Sequence, residues 1–80
     1  MKKKQIKPTE EAVQLAIRII LSDMKSWRTS LNYAVEYCKA AKGLTGHELE
    51  VQVLYILNNI SHWRGAGSKE VRATLKAFTK

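Results

Sequence analysis

A disulfide framework is excluded from the outset, because this chain contains one cysteine, Cys38. One Cys and two His also leave too few soft ligands for a structural zinc site. Proline occurs once, at position 8, and aromatic residues make up only 8% of the chain. No run approaches the roughly 18 apolar residues that a membrane-spanning helix needs. Acidic residues are scarce beside basic ones, 7 Asp plus Glu against 14 Lys plus Arg, for a net charge of +7. Such an excess favours an acidic partner: nucleic acid, an anionic membrane surface or an acidic protein.

What the chain does have is enough apolar residue, 45% over 80 positions, for one small globular domain. A chain of this length buries roughly 60% of its unfolded surface, so its stability is marginal without further help. Met1-Lys2-Lys3-Lys4 resembles the basic start of a signal peptide, but Pro8, Glu10 and Glu11 follow it. Gln14 and Arg18 then interrupt the apolar stretch from Ala12 to Leu21. The expectation is a cytoplasmic protein, and an unpaired Cys38 fits a reducing compartment.

Apolar residues recur at helical spacing along nearly the whole chain, with no alternating strand pattern. The pattern predicts an all-α, four-helix domain over residues 9–80, after a flexible basic tail at 1–8. The helices are expected at about 9–26, 30–42, 45–62 and 68–79, as two antiparallel hairpins with short connections. Thr9 should cap the first helix, ahead of Glu10 and Glu11, which suit its dipole. The core stripe of that helix is Val13, Ala16, Ile17, Ile20, Met24 and Trp27. Leu31, Ala34, Val35, Cys38 and Ala41 face inward on the second helix, and Gly43 stops it. Thr45 and Glu48 have the spacing of a capping box for the third, whose stripe is Leu49, Val53, Ile56, Leu57, Ile60 and Trp63. Ser68 can cap the fourth, which buries Val71, Leu75 and Phe78.

Shifting the chain by 36 residues lays Thr9 on Thr45, Ile20 on Ile56, Leu21 on Leu57, Trp27 on Trp63, Arg28 on Arg64 and Val35 on Val71. Any two amphipathic helices slide into partial register, but a Trp-Arg pair at the end of both long helices is harder to obtain that way. Two readings stay open: chance register, or two copies of one hairpin. Two copies are too few for a solenoid, which favours a closed bundle.

Two surfaces carry the functional expectations. Leu15 and Ile19 on the first long helix, and Val51, Leu54 and Tyr55 on the third, lie beyond the main stripe. Either the shorter helices cover them or they form an interface, most simply a homodimer. On the last helix, Lys69, Arg72, Lys76 and Lys80 fall within about 80° of one another, opposite the anchoring stripe. Arg64 extends this basic patch, and so does His62 when protonated. Four cations tracking four phosphates would give a salt slope of about −3.6 on DNA or RNA backbone. Lys2, Lys3, Lys4 and Lys7 hold four of the seven excess charges and form a basic arm. The long connection before the last helix fits a helix-turn-helix poorly, so backbone contact is expected over base reading.

No catalytic constellation stands out. His47 and His62 sit at opposite ends of one helix, and Glu10 and Glu11 point to different sides of another. Gly65-Ala66-Gly67 offers amides to a phosphate only weakly. The expectation is a non-enzymatic interaction or adaptor protein, self-associating through the first and third helices. The alternative is a nucleic-acid-binding accessory protein. No cofactor, metal or small-molecule substrate is implied, and a membrane is the weakest partner.

Overall fold

The computed structural model describes residues 8–79. It is all-helical, with no strand among the described residues: α1 is Glu10–Ser22, α2 Ala34–Ala41, α3 Gly46–Asn58 and α4 Ser68–Phe78. A short 3-10 turn, Met24–Ser26, follows α1. None of these helices is long and apolar enough to cross a membrane. Lys2, Lys3, Lys4, Lys7 and Lys80 lie outside the described residues, so the basic arm and one member of the α4 stripe have no structural account.

Each α1 start signal works locally. Thr9 is extended, and its Oγ1 accepts the Ala12 N–H at 3.1 Å while Glu10 and Glu11 occupy the positive end of the dipole. α1 is shorter than its apolar pattern suggests because Asp23 leaves the helical region, at φ −89° and ψ 69°. The stripe therefore loses Met24, which is 66% exposed, and leaves Trp27 half-buried. Trp27 keeps its indole N–H satisfied at the Leu21 carbonyl, 3.1 Å away, and the Lys39 ammonium lies 5.2 Å from its ring.

α2 begins later than its sequence pattern, after Asn32 adopts a positive φ of 37°. Its inward face is Ala34, Val35, Cys38 and Ala41, all buried, while Leu31 is buried in the turn ahead of the helix. At α3 the capping box does not form, and the Thr45 side chain makes no cap bond. Glu10 comes across from α1 instead, and its Oε2 accepts the Gly46 N–H at 2.8 Å. A carboxylate from another helix thus serves the positive end of α3. At α4 the cap position is Gly67, with φ 79°, and no side chain caps it.

Val13, Ile17, Ile20, Leu49, Val53, Ile56, Ile60, Trp63, Val71, Leu75 and Phe78 join the α2 residues in one core. α2 packs chiefly on α3 and α4 chiefly on α1, more closely than the helices of either hairpin pack on each other. α1 and α3 are thus separated by the two shorter helices. Both are 13 residues long and start 36 residues apart, the offset of the sequence repeat. The side chains of the two halves have diverged: Trp63 is fully buried where Trp27 is not.

Candidate interaction surfaces

Four of the five apolar residues expected beyond the main stripes are exposed. Leu15 is 54% exposed, Ile19 39%, Leu54 48% and Tyr55 48%, while Val51 is half-buried. These five do not make one patch. Leu15 and Ile19 border α4, lining a shallow groove with Ala12, Ala16, Glu70 and Thr74. Tyr55 borders α2, its ring centroid 5.4 Å from that of Tyr37 at a 32° tilt, and Gln52 Nε2 donates to the Tyr37 carbonyl at 3.3 Å. The two arcs belong to different faces because α2 and α4 lie between α1 and α3.

The α1 face carries a charge pattern that the hydrophobic reading passed over. Glu11 and Arg18 are both exposed and both line the surface around Leu15, together with Thr9 and Ala12. One stands four residues before Leu15 and the other three after it. Opposite charges straddling an apolar residue on one helix face were the sequence signal for this surface.

The basic patch is rearranged. Lys69 and Lys76 are exposed on α4, but Arg72 is half-buried and turned inward. Its Nη1 donates to the Trp63 carbonyl at 2.8 Å and to the Ile60 carbonyl at 3.4 Å. Arg64 Nη1 also donates to the Trp63 carbonyl, at 3.2 Å, and to that of Ser61 at 3.0 Å. Two guanidinium groups thus gather on the carbonyls of the chain segment leaving α3, at the negative end of its dipole. With residues 1–7 and 80 set aside, nine basic side chains face seven acidic ones, a net charge of +2. His47 lies at the solvent-exposed start of α3, its Nδ1 3.6 Å from Glu50 Oε1.

Among the described residues no three His, Cys, Asp or Glu side chains gather as a metal cluster would require. Asp23 is held below the usual carboxylate range, first by the Trp63 indole N–H, then by the Ser26 hydroxyl, with Lys25 adding a smaller pull. Cys38 is buried, and burial pushes its thiol up to about 12, so it is protonated at neutral pH. Comparison with protein-family models, curated proteins and solved structures finds no match to this chain.

Proposed function

We propose that this chain is a helical interaction module that pairs with a second copy through α1. The observation that carries the reading is Leu15, half-exposed and flanked on one face by Glu11 and Arg18. In a twofold antiparallel pair of α1 helices centred near Leu15, Glu11 of each copy comes alongside Arg18 of the other. The same surface then complements itself in charge, as an isologous contact requires. Ala12 and Ala16 add little bulk beside Leu15 and Ile19, so the helices can approach closely along the groove.

Exposed ion pairs contribute little energy, and their role here is to fix orientation while Leu15 and Ile19 supply the burial. Two short helices meeting along one face bury less than the about 1,200 Å² of a standard interface. The pairing is accordingly weak and concentration-dependent. Val51, Leu54 and Tyr55 on α3 then form the face left for another protein, which makes the module an adaptor.

The nucleic-acid reading draws less support. Arg72, the centre of the α4 stripe, is turned inward onto carbonyl groups, and the described body is close to neutral. Charge reversal separates the two. Glu11→Lys and Arg18→Glu should each weaken self-association, and the double variant should restore it. Equal association by all four proteins would contradict the α1 pairing.

A further inference from the structure

A polar cleft adjoins the end of the α1 apolar face, with Ile19 lining both. It has a volume of about 560 Å³ and lies between the end of α1, the 3-10 turn and the connection from α3 to α4. Two basic residues line it, Lys25 and Arg64, together with Ser30 and His62. Lys25, Ser30 and His62 form no hydrogen bond or ion pair with the described residues. Arg64 is held only through Nη1, which rests on the Ser61 and Trp63 carbonyls, so Nη2 and Nε are left to an incoming group.

The backbone contributes as well. Gly65 runs so close to the Asp23–Trp63 pair that a Cβ there would stand 2.5 Å from both Asp23 Oδ2 and Trp63 Nε1. Only glycine allows this approach. It brings the segment Gly65-Ala66 to the cleft wall, and neither backbone N–H there finds an acceptor among the described residues. Asp23 is the one acidic residue in the lining, and its Oδ2 already accepts from Trp63 at 2.7 Å and from Ser26 at 3.0 Å. Two cations, a hydroxyl and two amides therefore outweigh one hydrogen-bonded carboxylate.

We infer that this cleft binds a small phosphate monoester. The phosphate oxygens take charge-assisted hydrogen bonds from Arg64 and Lys25 and further bonds from the Gly65 and Ala66 amides. The cleft is far larger than a bare phosphate ion, and the remaining space takes the organic group of the ester. The cleft shares Ile19 with the face proposed for pairing, but none of its polar groups belongs to that face.

The test is a ¹H–¹⁵N NMR titration of the full chain with inorganic phosphate and with a nucleoside 5′-monophosphate, against sodium chloride at matched ionic strength. Saturable shifts are expected at Lys25, Ser30, Gly65 and Ala66, with the ester bound more tightly than inorganic phosphate. Arg64→Gln and Lys25→Gln should each weaken binding about tenfold while Lys69→Gln leaves it unchanged. The dispersed spectrum of each variant reports its fold in the same experiment. Shifts that never saturate, shifts centred on Lys69 and Lys76, equal affinity for ester and inorganic phosphate, or indifference to Arg64→Gln would each overturn the inference.

Discussion

The indole N–H of Trp63 donates to Asp23 Oδ2 at 2.7 Å, joining the residue that ends α1 to one that follows α3, 40 positions later in the chain. Trp63 is fully buried, so its one polar hydrogen needs an acceptor there, and Asp23 supplies it. This bond and the close passage of Gly65 over it fix the end of the bundle where the polar cleft lies.

A pH dependence follows. The Asp23 carboxyl titrates below its ordinary value in the folded protein, so its charge favours the folded state above the unfolded pKa of about 3.9. That contribution is lost as pH falls through the folded value. Asp23→Asn keeps an acceptor oxygen for the indole but removes the titration. Urea midpoints measured from pH 6 downward should show the parent ahead of the variant at pH 6 and the gap closing below about pH 4. A gap constant across that range would contradict the assignment.

Gly65→Ala tests the close approach itself. The added methyl meets Asp23 Oδ2 and the Trp63 ring, and making room should cost about 1–3 kcal/mol. Chemical denaturation monitored by tryptophan fluorescence measures it, and an unchanged midpoint would mean that the segment can move aside.

The two threonine caps should respond differently. Thr9→Ala removes an observed cap bond and should cost about 1 kcal/mol, whereas Thr45→Ala should be nearly neutral. Glu10→Ala, remote in sequence from α3, should destabilise by about 0.5–1 kcal/mol through the Gly46 amide. Equilibrium denaturation of the three variants checks the order.

These caps also show how far the sequence carries. The stripes of α2 and α4 and the inner residues of α1 and α3 follow from spacing alone, because burial of one face sets them. The Thr45–Glu48 box has the right spacing too, yet Glu10 supplies the bond in its place. No local pattern encodes a carboxylate 36 residues away. Likewise, the stripe through Met24 and Trp27 runs past the real end of α1, where Asp23 turns out of the helix. On the surface, the cationic spacing of α4 is legible, but the inward turn of Arg72 depends on carbonyls from another segment. The arcs through Leu15, Ile19, Leu54 and Tyr55 are legible as apolar positions beyond the main stripe, whereas their exposure and their separation onto two faces are tertiary facts.

Arg72 gives a further contrast. Arg72→Ala should cost about 1–2 kcal/mol, because it removes charge-assisted bonds to the Trp63 and Ile60 carbonyls. Lys69→Ala and Lys76→Ala should stay within about 0.5 kcal/mol of the parent. Thermal unfolding of the three proteins distinguishes the inward arginine from the exposed lysines.

Cys38 should resist modification in the folded state. Burial holds the thiol near pKa 12, so at pH 8 almost none is thiolate and none is accessible. A colorimetric disulfide reagent should react slowly in buffer and rapidly in denaturant. Equal rates in both would mean that α2 opens readily.

Pairing through α1 is read out by the mass of the protein in solution. Sedimentation or light scattering on the parent chain, from micromolar to near-millimolar concentration, should show a rise from the 9.1 kDa monomer towards twice that mass. Leu15→Asp should stay monomeric over the whole range with an unchanged circular dichroism spectrum. A parent that remains at 9.1 kDa at the highest concentration, or a folded Leu15→Asp variant that assembles like the parent, would contradict the account.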